Sequence, residues 1–135
     1  MDAIKRIRNG VYMKVTEILK QDKPTISFEV FPPKKDTDFA DVEAAATSIA
    51  ELNPSYMSVT YGAGGSTKGL TIKLAEGIQN KYNVPTIAHL TCVCADNAGI
   101  SQALEDMKAA GIKNILALRG DIPKDYAGEI FTEFA

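Results

Sequence analysis

Four short apolar segments recur along the chain at intervals of about thirty residues: ISFEVF at 26–31, YMSVTY at 56–61, TIAHLTC at 86–92 and NILALR at 114–119. Each has strand length, and the stretches between them carry helical periodicity. In 38–52 the stripe is Phe39, Val42, Ala45, Ala46, Ile49 and Leu52, with Asp36 or Thr37 available as N-cap. In 67–80 Leu70, Leu74 and Ile78 recur every four residues behind Ser66 or Thr67, and in 99–110 Ile100, Leu104 and Met107 do the same before Gly111, a suitable C′ residue. A further helix is expected over about 11–21. Alternation of this kind means parallel strands joined by helical crossovers. Four such units make either a small open sheet or half of an eight-stranded (β/α) barrel, a fold of about 250 residues.

The 135 residues read as a single domain, 1–135, in which 1–23 form an N-terminal helical extension. Only some fifteen residues follow the fourth strand, so that strand is expected to lack much of its helical cover, and the chain looks cut short. A net charge of −2 without long blocks of one sign gives no nucleic-acid footprint, and the KRIR cluster at 5–8 reads as a solvated helix face. No apolar run reaches membrane-spanning length and no signal-peptide core is present, so the expected location is the cytoplasm. Cys92 and Cys94, one residue apart, read as buried, reduced thiols. With a single histidine, a Cys/His metal site is short of ligands.

Side chains alternate along strands, so each strand sorts its residues into two sets. Glu29 shares parity with Ser27 and Phe31, Thr60 with Tyr56 and Ser58, His89 with Ile87 and Thr91, and Arg119 with Ile115, Ala117 and the following Asp121. These polar groups fall toward the C-terminal halves of their strands, the end where parallel α/β folds build ligand sites. Each also has a structural reading. Glu29 reads as a partner for Lys34 or Lys35, His89 as a satisfied core histidine, and Arg119-Gly120-Asp121 as an ordinary strand exit. An idle carboxylate among Phe28, Val30 and Phe31 would be costly, which favours a function for Glu29. The stretch YGAGGSTKG at 61–69 follows a strand and precedes a helix, yet matches neither a dinucleotide nor a P-loop spacing, so it reads as a flexible βα loop.

The segments SFEVFPPK (27–34), SVTYGAGGSTK (58–68), PTIAHLTC (85–92) and LALRGD (116–121), taken together and in this order, resemble the methylenetetrahydrofolate reductases. The resemblance implies a (β/α)8 barrel, of which this chain carries about the first four βα units. It also implies FAD as cofactor, NADH or NADPH as hydride donor, and reduction of 5,10-methylenetetrahydrofolate to 5-methyltetrahydrofolate, a step of one-carbon and methionine metabolism. Residue by residue it makes Glu29 the general acid that opens the substrate's five-membered ring, and Asp121 a residue that tunes the flavin and contacts the folate. Thr60, Tyr61, Ala63, His89, Arg119, Gly120 and Asp121 become flavin-binding positions. An apolar setting between phenylalanines would keep the Glu29 carboxyl protonated. A partner beyond the small-molecule substrate is not implied, a homo-oligomer stays open, and an inert half barrel with weak or no flavin binding is the competing expectation. A Schiff-base aldolase lacks support, since no lysine lies within the four strands.

Overall fold

The repeat builds one sheet. A computed structural model of the chain describes residues 7–8, 11–62, 67–122 and 127. Strands β1 (Ile7–Arg8) and β2 (Val11–Tyr12) form a small antiparallel ribbon, followed by the single helical turn α1 (Val15–Ile18). The main sheet comprises β3 (Ser27–Val30), β4 (Tyr56–Val59), β5 (Thr86–Thr91) and β6 (Asn114–Leu118), all parallel and in the order β3-β4-β5-β6. Helices α2 (Phe39–Glu51), α3 (Lys68–Tyr82) and α4 (Asn97–Ala109) form the three crossovers. Strands and helices thus fall within a few residues of the expected positions, and the architecture is α/β, a four-stranded parallel sheet in sequential order with one helix per crossover, consistent with part of a (β/α) barrel.

The expected helix over about 11–21 is corrected to one turn. Val11 and Tyr12 pair with the preceding strand, and so short a helix holds only because tertiary contacts fix it. Its Val15 and Ile18 are buried, and the Val15 N–H donates to Asn114 Oδ1 at 2.9 Å, which ties the turn to the start of β6.

All three helices lie on one face of the sheet. Val30, Met57, Val59, Ala88 and Leu90 are buried against Phe39, Ala46 and Ala50 of α2, Leu74, Ala75 and Ile78 of α3, and Ala103 and Met107 of α4. Thr47 and Tyr82 share a 2.9 Å hydrogen bond and Lys81 meets Glu43 at 2.8 Å, which joins α2 to α3, while Lys68 and Asp106 join α3 to α4 at 2.6 Å. Three of the expected stripe residues miss this core: Ala45, Leu52 and Leu104 are exposed, and Ala50 and Ala103 take inward positions. The buried Thr71 hydroxyl inside the layer is satisfied locally, donating to the Thr60 carbonyl at 2.9 Å.

Helix ends follow their sequence signals in part. Asp96 caps α4, its Oδ1 accepting the Gly99 N–H at 2.7 Å. At the other end Gly111 takes φ +73°, its N–H bonds the Lys108 carbonyl, and the Ile112 N–H bonds the Met107 carbonyl, a Schellman closure with Ile112 and Met107 both buried. A three-residue 3₁₀ turn, Asp36–Asp38, leads into α2, so Asp38 rather than Asp36 or Thr37 holds the N-cap position. No helix among the described residues is long and apolar enough to cross a membrane.

Candidate active site

Pairing register decides which side chains share the helix-free face. Glu29 pairs with Ser58 and Ser58 with Ile87, while His89 pairs with Leu116 and Thr91 with Leu118. The face opposite the helices therefore carries Ser27 and Glu29, Tyr56 and Ser58, Ile87, His89 and Thr91, then Asn114, Leu116 and Leu118. In the last strand the shared parity of Ile115 and Ala117 holds, but the register assigns that set to the helix side. Ala117 pairs with Leu90, and apolar Leu116 and Leu118 stand beside His89 and Thr91. Alternation within a strand defines two sets of residues; only the register between strands tells which sets meet.

Glu29, Ser58 and His89 form the polar centre of that face. Ser58 Oγ donates to Glu29 Oε2 at 3.1 Å, and His89 Nε2 lies 3.4 Å from the same oxygen. The His89 side chain is only 10% exposed, whereas that of Glu29 is 49% exposed. The apolar setting expected for Glu29 is accordingly absent. The pleat sends Phe28 to the opposite face, and Phe31, on the same side, points largely into solvent. What surrounds the carboxylate is a hydroxyl and an imidazole.

Thr60 and Tyr61 follow β4 and line a cleft of about 620 Å³ together with Phe31, Pro32, Lys34, Gly62 and Thr67. The cleft lies at the C-terminal ends of β3 and β4, where the fold class places ligands. Its walls are tied to the sheet and to α3. The Thr60 N–H donates to the Val30 carbonyl at 3.0 Å, and the Gly62 N–H donates to Thr67 Oγ1 at 2.7 Å. The Tyr61 hydroxyl is held above its ordinary pKa by burial, with smaller contributions from Cys92 and Asp106. Burial raises the Cys92 thiol as well. Both cysteines are free and half-buried, a looser setting than the buried thiols expected.

Arg119, Gly120 and Asp121 continue from β6 along the exit of β5. The Cys92 N–H donates to the Leu118 carbonyl and the Val93 N–H to that of Arg119, at 2.9 and 2.8 Å. Gly120 has φ +81°, and a Cβ there would stand 2.1 Å from Thr91 Cγ2, so only glycine fits. Arg119 and Asp121 are exposed, and among the described residues no hydrogen bond or ion pair joins them to Glu29. Ala63 lies outside the described residues. The structure thus brings Glu29 and His89 together and seats Thr60 and Tyr61 in one cleft. Sequence reasoning passed over Ser58, Phe31, Pro32, Lys34, Gly62 and Thr67 as site residues. For Ser58 the signal was its shared parity with Thr60, but its pairing with Glu29 depends on register.

Comparison with known proteins supplies the family. The family model described as methylenetetrahydrofolate reductase matches residues 14–133. The relative named methylenetetrahydrofolate reductase (NADH) 1 of Arabidopsis thaliana is 38% identical over 110 residues, which cover 82% of this chain and 19% of the relative. Methylenetetrahydrofolate reductase 2 of Schizosaccharomyces pombe is 43% identical over 98 residues, 72% of this chain and 15% of the relative. The 5,10-methylenetetrahydrofolate reductase of Escherichia coli K12 is 30% identical over 116 residues, 86% of this chain and 38% of the relative. The chain therefore spans well under half the length of these relatives. With the match running through β3 to β6 and every described site residue within it, the chain belongs to the methylenetetrahydrofolate reductase family.

Proposed function

We propose that this chain is the amino-terminal part of a flavin-dependent (β/α)8 barrel that reduces 5,10-methylenetetrahydrofolate to 5-methyltetrahydrofolate. The observation that carries the reading is the position of Glu29. It is a carboxyl on the helix-free face, contacted by Ser58 and His89, on the strand that runs into the cleft holding Thr60 and Tyr61. Under this reading Glu29 is the general acid that protonates the departing ring nitrogen. Asp121, at the exit of β6, contacts the folate and sets the charge near the flavin. A ligand laid over the face excludes water from it, and desolvation disfavours a charged carboxylate.

The residues present suit FAD. Phe31 and Tyr61 offer aromatic surfaces in the cleft, Lys34 a cation and Thr60 a hydroxyl. Arg119 is exposed and without a carboxylate partner among the described residues, as a residue reserved for an anionic ligand would be. Thr60, Tyr61, Ala63, His89, Arg119, Gly120 and Asp121 are the proposed contacts. The bound flavin would supply two-electron transfer between NADH or NADPH and the folate.

A second reading, a half barrel with weak or no flavin binding, is favoured by the exposure of Leu116 and Leu118 on the face that a closed barrel would bury. Titrating the purified chain with FAD and following its visible absorption separates the two. On the first reading the chain takes up FAD and bleaches on addition of NADH or NADPH. Folate then restores the colour in the unaltered protein and fails to do so in Glu29→Gln. A chain that leaves added FAD unbound supports the second reading, and normal folate reoxidation of Glu29→Gln removes the acid role.

A further inference from the structure

The two contacts to Glu29 fall on one oxygen. Ser58 Oγ lies 3.1 Å from Oε2 and His89 Nε2 lies 3.4 Å from Oε2, while among the described residues neither side chain engages Oε1. The contacts come from the next strand and the one beyond it, so the sheet itself sets the carboxyl's orientation. His89 is 10% exposed at its side chain and cannot turn freely away, and Ser58 is the direct register partner of Glu29.

From this asymmetry we infer that Ser58 and His89 are positioning residues that hold Oε2 as the accepting oxygen and leave Oε1 to carry the acid proton toward the ligand. The inference rests on the proposed role of Glu29 as general acid and adds which oxygen delivers the proton and what selects it. The chemistry follows from donor and acceptor inventories. A serine hydroxyl approaching a carboxyl with its hydrogen needs an acceptor lone pair on that oxygen. An imidazole nitrogen facing the same oxygen without a hydrogen between them would set lone pair against lone pair. Nε2 therefore carries a proton, and at 3.4 Å its approach to Oε2 is an electrostatic contact rather than a hydrogen bond. When the carboxyl is protonated, the oxygen that takes both contacts is its carbonyl-like oxygen, and the proton resides on the other one. In the proposed reaction it passes from Oε1 to the departing nitrogen, and the remaining negative charge is spread over a carboxylate already contacted at Oε2.

The chain has one histidine, which makes the test direct. Long-range proton–nitrogen NMR on the uniformly labelled chain reads which imidazole nitrogen is protonated, and the side-chain carboxyl carbon of Glu29 reads its donors. The expected result is a protonated Nε2 in the unaltered chain. A displaced Glu29 carboxyl resonance is expected in Ser58→Ala, returning toward its original position in Ser58→Thr, which restores the hydroxyl. A bare Nε2 with the proton on Nδ1 overturns the inference, because Oε2 would then be the protonated oxygen. So does a Glu29 carboxyl signal that ignores the loss of Ser58, with an unchanged backbone spectrum showing that the variant is folded. The two readings fail separately. Folate turnover by Glu29→Gln would end the acid role without touching these spectra, and a bare Nε2 would end the positioning role without touching turnover.

Discussion

Replacing Gly120 by alanine tests the geometry at the exit of β6 most sharply. Two costs are separable. The backbone sits at φ +81°, on the left-handed side that a Cβ disfavours by about 1–2 kcal/mol. The new Cβ would also lie 2.1 Å from Thr91 Cγ2 and 3.0 Å from Val93 Cγ1. Carbon atoms pack at about 3.5–4.0 Å, so the first contact is deep overlap. Thr91 is buried and β-branched, with little freedom at χ1, and the Arg119 carbonyl is pinned by the Val93 N–H at 2.8 Å, so neither partner can step aside. Overpacking of this kind costs about 1–3 kcal/mol, which makes about 2–5 kcal/mol in all.

Thr91→Ser removes Cγ2 and with it the closest contact, while the backbone cost stays. Urea unfolding followed by far-ultraviolet circular dichroism on the four proteins of the double-mutant cycle should show Gly120→Ala losing about 2–5 kcal/mol in the native background. In the Thr91→Ser background the loss should fall to about 1–2 kcal/mol. Equal losses in both backgrounds, or a loss below about 0.5 kcal/mol in the native one, would refute the argument that Thr91 is what demands glycine. Since Gly120 is also a proposed flavin contact, the result separates a glycine needed for folding from one needed for binding.

Two further outcomes concern the helical layer and the thiols. The Asp106 carboxyl is held below its usual range, first by hydrogen bonding to the Lys68 ammonium and then by the Gln102 amide. A depressed folded-state value stabilises the fold above the unfolded aspartate pKa, and that contribution is lost as pH falls through the folded one. Thermal melts between about pH 3 and pH 6 should therefore show a shallower acid decline for Asp106→Asn, and salt should shrink the difference because the pair is exposed. Burial raises the Cys92 thiol, so at neutral pH iodoacetamide should modify Cys92 in the folded chain more slowly than in the urea-unfolded chain. Peptide mapping by mass spectrometry checks it, and equal rates would contradict the burial.

The repeat was legible because each strand is bounded by residues whose chemistry is local: Asn53-Pro54 and Val84-Pro85 before β4 and β5, and Gly111 closing α4. The segment before β3 was not legible, because helix and extended pairing compete closely over ten residues and contacts such as Val15 to Asn114 decide between them. At the site, types of residue were readable and neighbours were not. Glu29 stood out as a carboxylate among apolar residues, yet its setting was misread, since Phe28 and Phe31 flank it only along the chain. Ser58 was invisible as a contact for the opposite reason. It lies twenty-nine positions away in sequence and directly beside Glu29 in the sheet.

Sequential strand order has a consequence for chemistry. When every helix packs on one side, the second face receives no cover from the crossovers, and whatever lies over it must come from elsewhere. That face is divided. Across β3, β4 and β5 it presents Glu29, Ser58 and His89, groups that need hydrogen-bonding partners when water leaves. Along β6 it presents Leu116 and Leu118, groups that need apolar ones. One kind of cover cannot serve both halves. On the proposed reading the polar half receives cofactor and folate, and further strands of the barrel close over the apolar half. Ligand binding then depends on the polar triad while barrel closure depends on β6, so substitutions at Ser58 and at Leu116 should affect different steps.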